Sequence, residues 1–228
     1  MNIIVLGGGG SPGKFGKDFV DKARGQGHRV IVLSHRDHMT GIADDRVINY
    51  RNIDSIKPVL QNIAKEIPAI DVILFNQNGS AYPFSTEELF TEPNISEYTN
   101  LINIHVAVPH LVVATLYNNL KEGSKVVFIS STMAFEYDRS NFGSMVGYPA
   151  AKSFVTHLMS SMSRSRTKNV TFSAVCPYFM YNEPEKYQET LQHLYTHIFE
   201  HDDALNGKIM IQSWEPGKAY KESKVKYV

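Results

Sequence analysis

Tyr148-Pro149-Ala150-Ala151-Lys152 sets a phenol and an ammonium four residues apart. On a helix that spacing puts both side chains on one face. A Lys⁺ beside a phenol favours the phenolate, which makes a Tyr usable as a proton donor or acceptor near neutral pH. Y-x-x-x-K arises often by chance, so its weight depends on its company. Near the start of the chain stands a second constellation, Gly7-Gly8-Gly9-Gly10-Ser11-Pro12-Gly13-Lys14-Phe15-Gly16. Glycines let backbone N–H groups approach a phosphate without a Cβ in the way, and the first turn of a following helix adds partial positive charge. Gly10, Gly13 and Gly16 are spaced G-x-x-G-x-x-G, and Gly16 can let that helix pack closely on a sheet.

The next β-branched run ends Val32-Leu33-Ser34-His35-Arg36. A dinucleotide site selective for NAD usually carries an acid here to bond the adenosine ribose. This chain has none before Asp37. It offers Ser34, Arg36 and, from the glycine turn, Lys14, a hydroxyl and two cations that suit a 2′-phosphate. NADP(H) is therefore favoured, with NAD(H) as the alternative. The competing reading makes Arg36 an ordinary solvated loop cation.

These groups need a scaffold, and the hydrophobic pattern supplies one. Short apolar runs at 3–6, 29–33, 46–50, 71–75, 125–130, 170–175 and 208–211 read as seven strands. Between them lie amphipathic stretches. Residues 14–26 carry Phe15, Phe19, Val20 and Ala23 on one stripe, and residues 54–66 carry Ile56, Val59, Leu60 and Ile63 at helical spacing. Asn94-x-x-Glu97 resembles a capping box opening a helix to about residue 120, with a kink expected at Pro109. Further helices are expected at 150–166 and 184–200. Residues 34–45 lack the periodicity of a full crossover helix. Strands apolar on both faces and separated by helices predict an α/β fold, a doubly wound parallel sheet in three αβα layers. One domain over 1–228 is the simplest division, and the Lys-rich tail after 218 reads as a solvated terminus.

Taken in order, the motifs resemble the short-chain dehydrogenase/reductase family across nearly the whole chain. The glycine turn comes first, then Asn76-Gln77-Asn78-Gly79 after the fourth strand, Asn103 in the long helix, Ile129-Ser130-Ser131 ending the fifth strand, Tyr148 with Lys152, and Pro177 after the sixth strand. The resemblance implies a Rossmann-type fold and hydride transfer between a nicotinamide and the carbonyl or alcohol of a small molecule. It makes Tyr148 the general acid/base and Lys152 the residue that lowers its pKa and holds the nicotinamide ribose. It gives Ser131 the substrate oxygen, with Ser130 and Thr132 as competitors, and gives Asn103 a water in the proton relay. Gly7, Gly10, Ser11, Gly13, Lys14, Phe15 and Gly16 would form the phosphate turn. Ser34, Arg36, Asn49, Asn76 and Gly79 would surround the adenosine half, and Pro177, Met180 and Asn182 the carboxamide. The resemblance also implies a substrate lid around 178–201 and a homodimer or homotetramer built on the long helix and the helix after Tyr148.

The chain departs from the family pattern in its wider glycine spacing, Asn78 where Ala is usual, an inserted Glu136–Arg139 stretch and Tyr178 where Gly is usual. Those departures motivate a second reading, a nucleotide-binding sensor of the same fold that reduces nothing. A lesser enzymatic alternative reduces C=C or imine bonds with the same cofactor.

Composition narrows the field. With 23 Lys+Arg against 23 Asp+Glu in 228 residues, the chain lacks the basic excess that phosphate-backbone binding uses, so nucleic acid is not expected. The single Cys176 excludes an intrachain disulfide, and no Cys/His run has zinc spacing, although His193 and His197 stand at i, i+4. No apolar run is expected to approach the roughly 20 residues that span a bilayer. A cytoplasmic protein is expected. The aromatics of 178–201 could equally line an apolar pocket or pack a helix.

Overall fold

The hydrophobic alternation of the first strand shows how the layers assemble. In the computed structural model, which describes residues 1–8, 14–34, 44–77, 95–135, 147–164, 168–177, 184–200, 205–213 and 224–227, β1 (Asn2–Leu6) lies at the middle of the sheet. Ile4 and Leu6 point into one hydrophobic cluster, Ile3 and Val5 into the other. All four are fully buried. Each such side chain stabilises by about 1.5–3 kcal/mol, which is why this strand shows no polar face.

The element order is β1, α1 (Lys14–Gly25), β2 (Arg29–Ser34), β3 (Arg46–Val47), α2 (Ile56–Glu66), β4 (Ile70–Phe75), α3 (Ile95–Ile102), α4 (Val108–Leu116), β5 (Leu120–Ile129), α5 (Gly147–Ser163), β6 (Thr171–Cys176), α6 (Pro184–Phe199), β7 (Ile209–Ser213) and β8 (Lys224–Tyr227). The sheet runs β3-β2-β1-β4-β5-β6-β7-β8. Seven strands are parallel, and β8 pairs antiparallel with β7. One face is covered by α2, α4 and α5 through Leu60, Val112 and Met159, the other by α1 and α6 through Phe19 and Leu194. This is the doubly wound αβα architecture expected from the sequence.

Three expectations change. The tail is not wholly a solvated terminus, because residues 224–227 extend the sheet beyond β7. The third strand is only two residues long. The helical run Ile95–Asn119 is long and apolar enough, by length and composition, to cross a membrane, which corrects the statement that no run approaches that size. In this fold it covers the sheet, burying Val108, Val112 and Leu116, while Ile95 and Ile102 on α3 and Phe154 on α5 stay exposed.

Its irregularity also lies elsewhere than expected. Residues Asn103–Ala107 form a π-helical turn between α3 and α4, in which the Val108 N–H donates to the Asn103 carbonyl five residues back. Pro109 explains it. Proline has no N–H for the carbonyl four residues back, His105, and its ring would crowd that carbonyl in an α-helix. The wider π turn makes room.

At the carboxyl end of β1 three elements nearly touch. Gly7 has φ +80°. A Cβ there would stand 2.7 Å from the Gln77 backbone. A Cβ on Gly16 would stand 2.5 Å from the Gly7 carbonyl oxygen and closer still to the Asn76 amide nitrogen. Gly27 has φ +81° as well, but open space around it. Gly27→Ala should therefore cost only the left-handed backbone penalty, about 1 kcal/mol, and lower Tm by roughly 2–4 °C. Gly7→Ala adds a collision with main chain and should cost about 3 kcal/mol. Thermal unfolding of both variants checks this, and equal losses would refute the close approach.

Candidate active site

The sheet order reverses between β1 and β4, the switch point at which open α/β sheets bind ligands beyond their strand ends. Gly7 and Asn76 end those two strands, and Gly16 brings the first turn of α1 against them. The Asn76 side chain, 8% exposed, donates from Nδ2 to the Gly7 carbonyl at 2.9 Å. Its role is to brace the turn from within. Ser34 is buried at the end of β2, and its carbonyl accepts from the Ile48 N–H at 2.7 Å. Asn49 is exposed, its Oδ1 accepting from the Arg51 N–H at 3.0 Å. Phe15 is 2% exposed and packs edge-on against Tyr187, so only its backbone can serve a ligand. Lys14 opens α1. Gly10, Ser11, Gly13, Arg36, Gly79, Met180 and Asn182 lie outside the described residues, as does the insertion at 136–139.

The second group gathers where β5 ends. Lys152, on α5, is 2% exposed. Its ammonium donates to the Ile129 carbonyl at 3.0 Å and lies 5.6 Å from the centre of the Tyr148 ring. Ser130 is also buried, and its hydroxyl donates to the Lys152 carbonyl at 3.2 Å, so it is spent inside. Ser131, half-buried, accepts from the Met133 N–H at 3.2 Å and starts a 3₁₀ turn over Thr132–Ala134. That bond uses the Ser131 oxygen as acceptor and leaves its O–H to donate elsewhere. Asn103 opens the π turn, which packs against α5. Pro177 is buried directly after β6.

The electrostatics follow from burial. Loss of water pushes the Lys152 ammonium down to about 8, with Cys176 acting weakly the other way. Burial pushes the Cys176 thiol up to about 12. The imidazole of His105, 1% exposed in the π turn, is held well below its ordinary range by burial first and by the Lys152 charge second. Gln77, 5% exposed, donates from Nε2 to the Ile104 carbonyl at 3.1 Å. His105 and Gln77 belong to this buried polar cluster, yet sequence reasoning did not single them out. The available signal was weak: a His two residues after Asn103, beside an apolar stripe. In the π turn His105 is buried beside Ile104, and helical spacing foresees the burial of Ile104 but not that of His105.

The 178–201 region divides. Residues 178–183 lie outside the described residues. Tyr187, Tyr195 and Phe199 pack with Phe15 and Phe19 between α6 and α1, so residues 184–199 form part of a layer of the fold. His193 meets Glu189, while buried His197 meets the Ser173 hydroxyl at 2.9 Å.

Order of strands, glycine turn and Tyr–Lys helix coincide with a match to the short chain dehydrogenase family over residues 2–190. The chain belongs to that family. Among curated relatives, a 3-oxoacyl-[acyl-carrier-protein] reductase FabG from Buchnera aphidicola subsp. Acyrthosiphon pisum (strain APS) is 25% identical over 144 residues, covering 62% of this chain. The match spans 55% of that relative, about half its length. Similar solved structures include a Brucella ovis oxidoreductase of the short chain dehydrogenase/reductase family in complex with a partially ordered NAD, with a TM-score of 0.74 and 14% identity over 92% of this chain and 98% of that one. Thermoplasma acidophilum aldohexose dehydrogenase in ligand-free form has a TM-score of 0.72 and 16% identity, over 92% and 91% of the two chains. These structural likenesses establish the fold. For a short chain dehydrogenase, a buried Lys beside the Tyr is the feature to test first.

With a folded value near 8 against 10.5 for a free lysine, the folded chain releases the Lys152 proton while the unfolded chain still holds it. Stability on this account rises with pH from about 8 to 10.5, and the full gap is about 3 kcal/mol. Lys152→Met should therefore be stabilised relative to the parent at pH 7 and lose that advantage by pH 10. Urea unfolding across that range measures it; a pH-independent difference would mean that the ammonium is not desolvated.

Proposed function

We propose that this short chain dehydrogenase is an NADP(H)-dependent oxidoreductase that interconverts a carbonyl and an alcohol on a small molecule, with Tyr148 as general acid/base. The carrying observation is the buried Lys152 ammonium, tied to the end of β5 and 5.6 Å from the Tyr148 ring, on the same strand end as Ser131. The cofactor fits the described residues. Gly7, Gly16 and Asn76 hold the α1 N-terminus at the strand-order reversal, where backbone N–H groups and the helix dipole favour a phosphate. When bound, the nicotinamide supplies or takes the hydride.

The protein's own part is proton transfer and positioning. In the reductive direction the Tyr148 hydroxyl donates its proton to the carbonyl oxygen as negative charge develops there. Lys152, mostly protonated at pH 7 with a value near 8, stabilises the phenolate left behind. Ser131 supports its assignment over Ser130 by being only half-buried and by an O–H uncommitted among the described residues, which can donate to the same substrate oxygen. Arg36 and Lys14 would select the 2′-phosphate by charge.

Two outcomes test this reading. Tyr148→Phe should retain NADPH binding, followed by nicotinamide fluorescence, and lose turnover with any accepted carbonyl by a factor of at least ~10². Undiminished turnover would remove Tyr148 from its role, and a parent protein that binds neither NADPH nor NADH would end the proposal. Arg36→Asp should move the preference from NADPH toward NADH in titrations of both. Unchanged selectivity would assign the preference to other residues.

A further inference from the structure

Lys152 has three N–H donors, and among the described residues one of them has a partner, the Ile129 carbonyl. The π turn that carries His105 packs against α5, the helix that carries Lys152. His105 Nε2 is buried and has no hydrogen-bond partner among the described residues, and the same holds for Gln77 Oε1. The Gln77 amide is anchored one residue away from His105, on the Ile104 carbonyl. A buried acceptor left unpaired costs about 1–3 kcal/mol, and a buried polar site normally completes such groups with water. Among the described residues, donors without acceptors on α5 and acceptors without donors on the π turn and just past β4 thus lie in one interior.

We infer that His105 is a positioning residue for Lys152: its neutral imidazole accepts at Nε2 from a buried water, and that water accepts from the Lys152 ammonium and holds it toward Tyr148. The inference rests on the proposed role of the Tyr–Lys pair. Neutrality is essential, because a charged imidazole would repel the ammonium and offer no lone pair. Burial and the Lys152 charge both keep His105 neutral. With the proton on Nδ1, Nε2 is an acceptor throughout the neutral range. Among the described residues, the titratable groups at this arrangement are Tyr148 and Lys152 on α5, His105 on the π turn and Cys176 on β6, where the thiol stays protonated.

The test compares His105→Phe, which keeps a ring without nitrogen, with His105→Gln, which keeps an acceptor. Lys152 is titrated by NMR in the cofactor-free protein labelled at lysine, its signal assigned by loss in Lys152→Met. The parent should titrate near 8. His105→Phe should lower the midpoint by about half a unit or more, because the ammonium loses its acceptor, and His105→Gln should restore most of it. In the loaded enzyme, His105→Phe should lower kcat by roughly tenfold with little change in KM for the cofactor. An unchanged midpoint in His105→Phe overturns the inference, and so does an equal fall in both variants, which would mark a purely structural role. If His105→Phe does not fold, the ¹⁵N shifts of the parent decide. A hydrogen-bonded, proton-free Nε2 that persists to pH 5 supports the inference; a His105 that titrates near 6.5 overturns it. Because the midpoint is read without turnover, a protein that reduces no carbonyl can still pass or fail this test.

Discussion

A lysine ammonium taken out of water must be repaid by its surroundings, and here, among the described residues, no carboxylate is in the groups acting on Lys152. A main-chain carbonyl at the end of β5 accepts one of its hydrogens, and the hydroxyl of Ser130 secures the backbone of the same residue. Those two bonds join α5 to β5 at the point where Ser131 leaves the sheet. Tyr148 stands one helical turn before Lys152 on the same helix. A carboxylate partner would lower the cost of burial, but it would also cancel the field that favours a phenolate. Among the described residues the buried positive charge stands beside the phenol without a carboxylate, at a cost to the stability of the interior.

The cofactor end depends on a different constraint, the distance between chains. Gly7, Gly16 and Asn76 lie so close that side chains at the two glycines would collide with main chain or with the Asn76 amide. The Asn76 amide satisfies the Gly7 carbonyl in the gap. Close packing puts the α1 N-terminus at the reversal of strand order, so the atoms that would meet a phosphate there are also atoms of the packed fold. The π turn joins the two ends. It begins at Asn103, ends two residues before Pro109, and holds His105 buried.

Much of this is legible in the chain itself. The β-branched runs, too apolar for a sheet with one wet face, announce the parallel sheet, and helical spacing identifies the stripes of α1 and α2. Tyr148 and Lys152 lie on one helix, so four residues of spacing suffice to pair them. Phe15 shows the limit of motif reasoning. It lies inside the glycine turn as a string, yet its ring belongs to the α1–α6 core. The region after Pro177 shows another limit, since its aromatics fit a pocket or a packed helix equally well until α6 is seen against α1.

Local periodicity and residue chemistry, which act within a turn or two of chain, determined the strand–helix order, the glycine turn and the Tyr–Lys pair. Only the tertiary structure decided which polar groups lose water together. His105, Lys152 and Cys176 come from three separate elements, and Gln77 and Ser130 follow the ends of two strands, and nothing in their spacing predicts a common interior. Their burial follows from how α5 and the π turn close over the ends of β4, β5 and β6, and that closure sets the charge on Lys152. The chain's even balance of 23 basic and 23 acidic residues says nothing of it. Desolvation depends on where a group is placed, and that is a property of the packed molecule.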